Sequence, residues 1–321
     1  MKTIFSLACT LLIAGNAFSQ VNFARIDSVA ASFADKYEVP AELARQLTLP
    51  FDNELEKARV IFMWIAQHIR YDVDKYHNPK PRPQATGNTT AELQENAIEL
   101  HEKAIQKTLR GKIGICQDYS ELYKAMCDAV GLECVLVTGD ARDFFKPYRN
   151  IHDNPHAWNA VKIDGQWHLL DATWGAGYVN HDKFTRKVAT GFFMTPPTWF
   201  AQNHLPDKVE WQLLETPLDK RDFPDQPMHN YGQIDYPLLD FSRELERTAD
   251  GKVQLRFQFQ EAPKAFMVTA GKNAKLVLFS QSMEDGWVVL SFSSKGMSEV
   301  VVFMGKSPRS QMNWLARYDI R

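Results

Sequence analysis

Three side chains could carry covalent chemistry: the thiol of Cys116, the imidazole of His156 and the carboxylate of Asp171. Cys116 follows Gly114-Ile115 and opens a stretch with helical periodicity. It therefore sits where a glycine-containing loop becomes a helix. The first turn of a helix leaves backbone N–H groups unpaired and carries partial positive charge. A thiolate is stabilised there, so the thiol titrates below the free value of ~8.5. The same N–H groups can receive the oxyanion of a tetrahedral intermediate. The position suits a nucleophile, and taken alone it suits a buried structural cysteine as well.

The run His156-Ala157-Trp158-Asn159-Ala160-Val161-Lys162-Ile163 is followed by Asp164-Gly165 and then Gln166-Trp167-His168-Leu169-Leu170-Asp171. Asp-Gly between alternating runs is a strong signal for a two-residue hairpin turn. Counting outward from the turn pairs Ile163 with Gln166, Lys162 with Trp167, Trp158 with Asp171 and His156 with Thr173. His156 and Asp171 then share a face as diagonal neighbours, with Cβ atoms roughly 7–8 Å apart. A slip of one residue would turn Asp171 to the other face. An Asp bonded to one ring nitrogen fixes the imidazole tautomer and leaves the other nitrogen for the thiol. The competing histidines are His168, which faces away in this register, and His152, in the preceding loop. Asp118 reads as a first-turn helix residue that complements the dipole, since a carboxylate beside the thiol would raise its pKa.

These groups need a scaffold. Ile26, Val29, Ala30, Phe33 and Tyr37 recur at helical spacing, and Pro40 follows them. A second helix starts at Asn53 with Glu56 as the return half of a capping box, buries Ala58, Ile61, Phe62, Ile65 and Ile69, and ends near Tyr71-Asp72. Residues 73–90 read as a loop and 91–109 as a polar helix, together an insertion over 73–110 that is a surface excursion or a lid. Tyr119, Leu122, Tyr123, Met126 and Val130 give the Cys116 helix one apolar face, with Gly131 as its stop. Residues 134–138 form a strand, and 156–173 the hairpin. Residues 216–236 form a linker. Beyond 237 the pattern is of short strands at 253–260, 265–270, 275–281, 287–293 and 298–304, a small all-β sandwich. The fold class is α+β.

At the N-terminus, Lys2, the apolar stretch Ile4 to Ala14 and the small residues Ala17 and Ser19 have the layout of a secretory signal peptide over residues 1–19. Export with cleavage between Ser19 and Gln20 is the expectation, and no transmembrane segment is expected in the mature chain. Cys116, Cys127 and Cys134 remain, an odd number. Cys127 and Cys134 could form a disulfide or a packed pair of thiols. The 321 residues carry 37 Lys and Arg against 39 Asp and Glu, a net charge of −2, which gives no electrostatic case for nucleic acid. The nine histidines do not fall at metal-ligand spacings and no C-x-x-C occurs, so neither a metal nor a cofactor is called for.

Gly114-Ile115-Cys116 with Tyr119, His156-Ala157-Trp158, and Leu170-Asp171-Ala172-Thr173-Trp174 together resemble the transglutaminase-like superfamily. Gly191 to Pro197, His204-Leu205-Pro206 and Trp211 to Leu214 are similar to bacterial relatives of its kyphoscoliosis-peptidase branch. The resemblance covers roughly residues 25–215. It implies a papain-like core, with the nucleophile helix packed on an antiparallel sheet, spanning residues 20–215. It also implies Cys116 as nucleophile, His156 as general base and then acid, and Asp171 as orienter, with Tyr119, Trp158 and Trp174 lining the cleft. The Cys116 backbone N–H is the first oxyanion donor. The second is unassigned: Arg110 stands where papain-type enzymes place a Gln, and Trp64 lies inside a helix. The implied activity is acyl transfer from amide bonds of a protein or peptide through a thioester. Water as the second nucleophile gives a peptidase or amidase, and a lysine amine gives a crosslinking transglutaminase. A non-catalytic binding or cell-surface scaffold is the reading from another class.

Overall fold

The computed structural model describes residues 21–34, 36–143, 154–232, 238–271 and 273–320. The expected leader, its cleavage point and His152 lie outside the described residues. Five helices build the first layer: α1 (Phe23–Ser32), α2 (Pro40–Thr48), α3 (Glu54–His68), α4 (Thr90–Gly111) and α5 (Cys116–Asp128). Helix α3 starts as its sequence predicts, with the Asn53 side chain accepting the Glu56 N–H at 2.8 Å. Helix α2 is not anticipated from sequence. Pro40, noted in the sequence only as following the first helical run, opens it, because proline has no N–H to lose in a first turn.

The second layer is a five-stranded antiparallel sheet made of β1 (Cys134–Ala141), β2 (Pro155–Ile163), β3 (Gln166–Leu170), β4 (Phe193–Thr195) and β5 (His204–Pro206). Its spatial order is β4-β3-β2-β1-β5. The hairpin register is the one counted from Asp164-Gly165: Ile163 opposes Gln166, Val161 opposes His168 and Asn159 opposes Leu170. Both turn residues have positive φ, 49° and 79°, as a type I′ turn requires. The ladder stops at Leu170, however. Asp171 leaves it to cap a short helix, Ala172–Ala176, so the predicted Trp158–Asp171 and His156–Thr173 pairs do not form. A side chain that bonds the N–H groups two and three residues ahead turns the backbone out of the strand.

Between the layers lies one apolar core. Phe62, Trp64 and Ile65 of α3 meet Tyr119, Leu122, Tyr123 and Met126 of α5, with Val161, Ile163 and Leu170 of the sheet closing the cluster. Each such side chain, fully buried, contributes roughly 1.5–3 kcal/mol, which fixes α5 and hence Cys116 against the hairpin. Arg70–Tyr71 pairs in parallel with Ile113–Gly114, bringing the end of α3 to the loop before Cys116. Residues 78–89 are irregular and α4 buries little beyond Ile105, Thr108 and Leu109, as expected of an insertion.

The C-terminal strands form two facing antiparallel sheets around Leu255, Phe257, Val268, Leu290, Val302 and Leu315. Leu238–Phe241 and Asn313–Asp319 add to the strands predicted from sequence, and Met228–His229, within the predicted linker, pairs with Asn313–Asp319. No helix among the described residues is long and apolar enough to cross a membrane.

Candidate active site

Cys116 is the first residue of α5 and is half-buried. Asp118 fixes that helix start by accepting the Ile115 N–H at 2.8 Å. The Asp118 carboxylate also takes Lys75 at 2.5 Å and Arg82 at 3.5 Å. His156 stands near the start of β2, opposite Gly139 of β1, and its side chain is 8% exposed. Its Nε2 lies 2.8 Å from Asp171 Oδ2. The other face of the ring serves the thiol, since Cys116 forms a side-chain hydrogen bond with His156 and accepts from the Ala157 N–H.

Asp171 is completely buried. Its Oδ1 accepts the Thr173 and Trp174 N–H groups at 2.8 and 3.1 Å, and its Oδ2 faces His204 Nε2 at 3.2 Å as well as His156. The titration of the three groups follows from this geometry. Burial pushes His156 down, but the Asp171 carboxylate and the Cys116 thiolate outweigh it and raise the imidazole from 6.5 to about 10. Burial pushes the Cys116 thiol up, yet His156 and the Ala157 N–H bring it below its ordinary value. Burial likewise opposes ionisation of Asp171, and its two histidines hold it well below the usual carboxylate range. The imidazole and the thiol thus each favour the other's charged form, over a buried carboxylate.

Residues 41–172 match the family model described as the transglutaminase-like superfamily. The chain belongs to that superfamily. It is 30% identical over 298 residues to kyphoscoliosis peptidase of Mus musculus, covering 87% of this chain and 41% of that protein. Against kyphoscoliosis peptidase of Homo sapiens it is 31% identical over 253 residues, covering 76% and 35%. Against hillarin of Drosophila melanogaster it is 28% identical over 229 residues, covering 64% and 25%. The chain thus spans less than half the length of these relatives.

Within this transglutaminase-like domain the other residues singled out from sequence fare differently. Trp174 is half-buried, its ring centroid 5.5 Å from that of His156. Tyr119 and Trp158, expected in the cleft, are 0% and 1% exposed. Tyr119, three residues on from Cys116, is packed in the core, where its hydroxyl donates to the Ile69 carbonyl at 2.6 Å. Trp158 is two residues on from His156 and lies beneath it, against Phe200 and His204. His168 is half-buried opposite Val161. Arg110 pairs with Glu38 at 3.1 Å on the exposed end of α4, and Trp64 is wholly within the core. Cys127 and Cys134 are free thiols packed together, with burial raising Cys127.

Two site residues were not found from the sequence. His204 is one. Its Nε2, that of His156 and an Asp171 oxygen lie within 4.8 Å of one another, a donor set with metal-ligand chemistry in which every member is already hydrogen-bonded to another. Nothing in sequence spacing signals that convergence, because strand order alone brings β5 there. Tyr71 is the other. It pairs with Gly114, two residues before Cys116, and its hydroxyl makes no hydrogen bond among the described residues. Burial, followed by the Cys116 thiolate, keeps that hydroxyl protonated far above its ordinary range. The Tyr-Asp that closes the α3 segment was the available signal.

Proposed function

We propose that the protein is an exported cysteine-dependent acyl-transfer enzyme acting on amide bonds of proteins or peptides, with water as the final nucleophile. The observation that carries this reading is the 2.8 Å bond between His156 Nε2 and Asp171 Oδ2, with the Cys116 thiol on the ring's remaining nitrogen. In this reading the Cys116 thiolate attacks the carbonyl carbon. The Cys116 backbone N–H and the Tyr71 hydroxyl receive the oxyanion. His156 gives its Nδ1 proton to the leaving amine, and a thioester remains. His156, now neutral, takes a proton from water, which attacks the thioester. Collapse of the second intermediate releases the acid and regenerates thiolate and imidazolium. Asp171 stays ionised throughout and holds the tautomer.

The test compares the wild type with Cys116→Ala on a library of peptides and folded proteins, scoring new amino termini and incorporation of a primary amine in parallel. Cleavage lost in Cys116→Ala supports the hydrolase. Amine incorporation without cleavage would replace it with a transglutaminase. Neither activity, together with a Cys116 that alkylates no faster than Cys127 or Cys134, would leave a binding module. Sequencing the amino terminus of the secreted chain tests export and the Ser19–Gln20 cleavage.

A further inference from the structure

This inference rests on the catalytic reading of Cys116, His156 and Asp171 and concerns what holds the third of them. Asp171 Oδ2 faces two imidazoles, at 2.8 Å from His156 and 3.2 Å from His204. One buried carboxylate balances one imidazolium; a second would be an uncompensated charge. The two rings divide accordingly. His156 is raised to about 10, whereas burial, reinforced by the charge of His156 and opposed by Asp171, lowers His204 to about 4. A neutral imidazole has one N–H, and only at Nε2 does it serve the carboxylate.

The far side of the ring is equally constrained. His204 Nδ1 lies 2.7 Å from Asn203 Oδ1, and the Tyr231 hydroxyl donates to the same oxygen at 2.9 Å. A proton on His204 Nε2 leaves Nδ1 as an acceptor, so it requires the Asn203 amide turned over, with its NH2 toward Nδ1 and the Tyr231 oxygen. Three aromatic rings wall the imidazole, with centroids at 3.8 Å (Phe200), 4.7 Å (Trp174) and 5.0 Å (Trp158). Tyr231 is anchored in turn from the C-terminal sandwich. Its neighbour Asn230 donates from its backbone to Leu315 O at 2.8 Å and from its side chain to Trp314 O at 3.0 Å. Asn203 is held by its own carbonyl, which accepts the Arg142 N–H at 2.8 Å.

We propose that His204 is a positioning residue, a neutral Nε2–H donor braced by Asn203 and Tyr231. It fixes the rotation of the Asp171 carboxylate beneath His156 and so ties the C-terminal sandwich to the active site. The groups that face it are Asp171 and His156, with Tyr231 behind Asn203. Phe in place of His204 keeps the ring among its aromatic walls and removes the donor. Gln in place of His204 restores an N–H close to the position of Nε2.

The test is the rate of Cys116 alkylation by iodoacetamide, followed by peptide mapping at two pH values in the full-length protein. His204→Phe should alkylate about tenfold more slowly than wild type at about pH 6, where reactivity needs the ion pair. At about pH 10, where the thiol ionises without that help, the two rates should agree. His204→Gln should recover to within about twofold of wild type, and Tyr231→Phe should lose about two- to threefold at the lower pH only. The proposal is overturned if His204→Phe and wild type coincide at both pH values, or if the Gln variant falls as far as the Phe variant. Should His204→Phe fail to fold, an unchanged profile in both His204→Gln and Tyr231→Phe supports the donor but overturns the link to the sandwich. A wild type that shows no reactivity at the lower pH defeats the catalytic reading itself, which is a separate result.

Discussion

Replacing Asp171 by Asn removes one charge and leaves the shape nearly intact, so its effect isolates what the carboxylate does. Moving an imidazole from 6.5 to about 10 corresponds to roughly 5 kcal/mol of preference for the cation, shared between Asp171 and the Cys116 thiolate. Without the carboxylate, only the Cys116 thiolate opposes burial on His156, and the ring shifts toward its neutral form. The thiol then loses its cation, and burial, the largest influence on it, returns it to 9.0 or above. At pH 7 a thiol titrating at 9 is about 1% ionised, so alkylation of Cys116 should fall about 100-fold. The amide would also present an N–H to His156 Nε2. That forces the proton to Nδ1 and costs about 10⁴-fold in turnover where the same change is made in a Ser–His–Asp triad. The assay is the pH dependence of Cys116 alkylation between about pH 5 and 10. Wild type should show a plateau through neutrality and Asp171→Asn a single rise near the ordinary thiol value, the curves meeting at the alkaline end. If the variant keeps neutral-pH reactivity within about threefold of wild type, the proposed electrostatic coupling does not exist.

Tyr71→Phe should lower kcat by about 10²-fold with KM little changed, because in the proposed mechanism that hydroxyl serves only the oxyanion, while Cys116 alkylation stays at the wild-type rate. Gly139→Ala should destabilise the fold by about 1–3 kcal/mol in urea unfolding, since a Cβ there would lie 2.7 Å from Pro206 Cα and 2.8 Å from the Trp158 ring, with the Leu205 carbonyl closer still. The pH dependence of stability has a definite sign. His156, raised above 6.5, contributes stability that is complete below 6.5 and lost as pH rises through about 10. Cys116, lowered from 9.0, contributes stability that is complete above 9.0 and lost as pH falls through its folded value. Above 9.0 the unfolded pair has lost both protons while the folded pair keeps the imidazolium proton up to about 10, so the urea midpoint should decline there, whereas in Cys116→Ala it should decline from 6.5 onward.

What could be read from the sequence was local. Cys116 is placed by a glycine loop, a helix periodicity and a first-turn Asp, all within a few residues of one another. The hairpin register follows from two turn residues that adopt positive φ. Asp171 was assigned to the correct face for an incomplete reason. The ladder count brought it near His156, but its own Oδ1 bonds to Thr173 and Trp174 pull it out of the strand and set its final position. His204 was illegible because its contact with Asp171 spans 33 residues and depends on β5 pairing with β1 at the sheet edge. Tyr119 and Trp158 show the opposite error. Spacing of two in a strand or three in a helix brings each near its reactive neighbour, yet both are buried beneath the site and not in its opening.

The buried charges around Cys116 explain how a thiolate can persist beside two acids. Asp118 is two residues from the nucleophile, and a free carboxylate there would raise the thiol. The Asp118 oxygens are committed to the Ile115 N–H, to Lys75 and to Arg82, two cations carried by the 73–110 insertion. Arg82 also reaches Glu121 at 2.8 Å, one turn along the same helix. Removing one partner of a buried ion pair leaves the other uncompensated, so losing both cations would expose the thiolate to the Asp118 and Glu121 charges. The insertion therefore supplies the cations that pair with the acids nearest the nucleophile. Asp171 is treated by the same logic at the other end of the site, where four donors surround one carboxylate and only one of them is a cation. The reactive pair keeps its charge because each neighbouring acid has been given partners of its own.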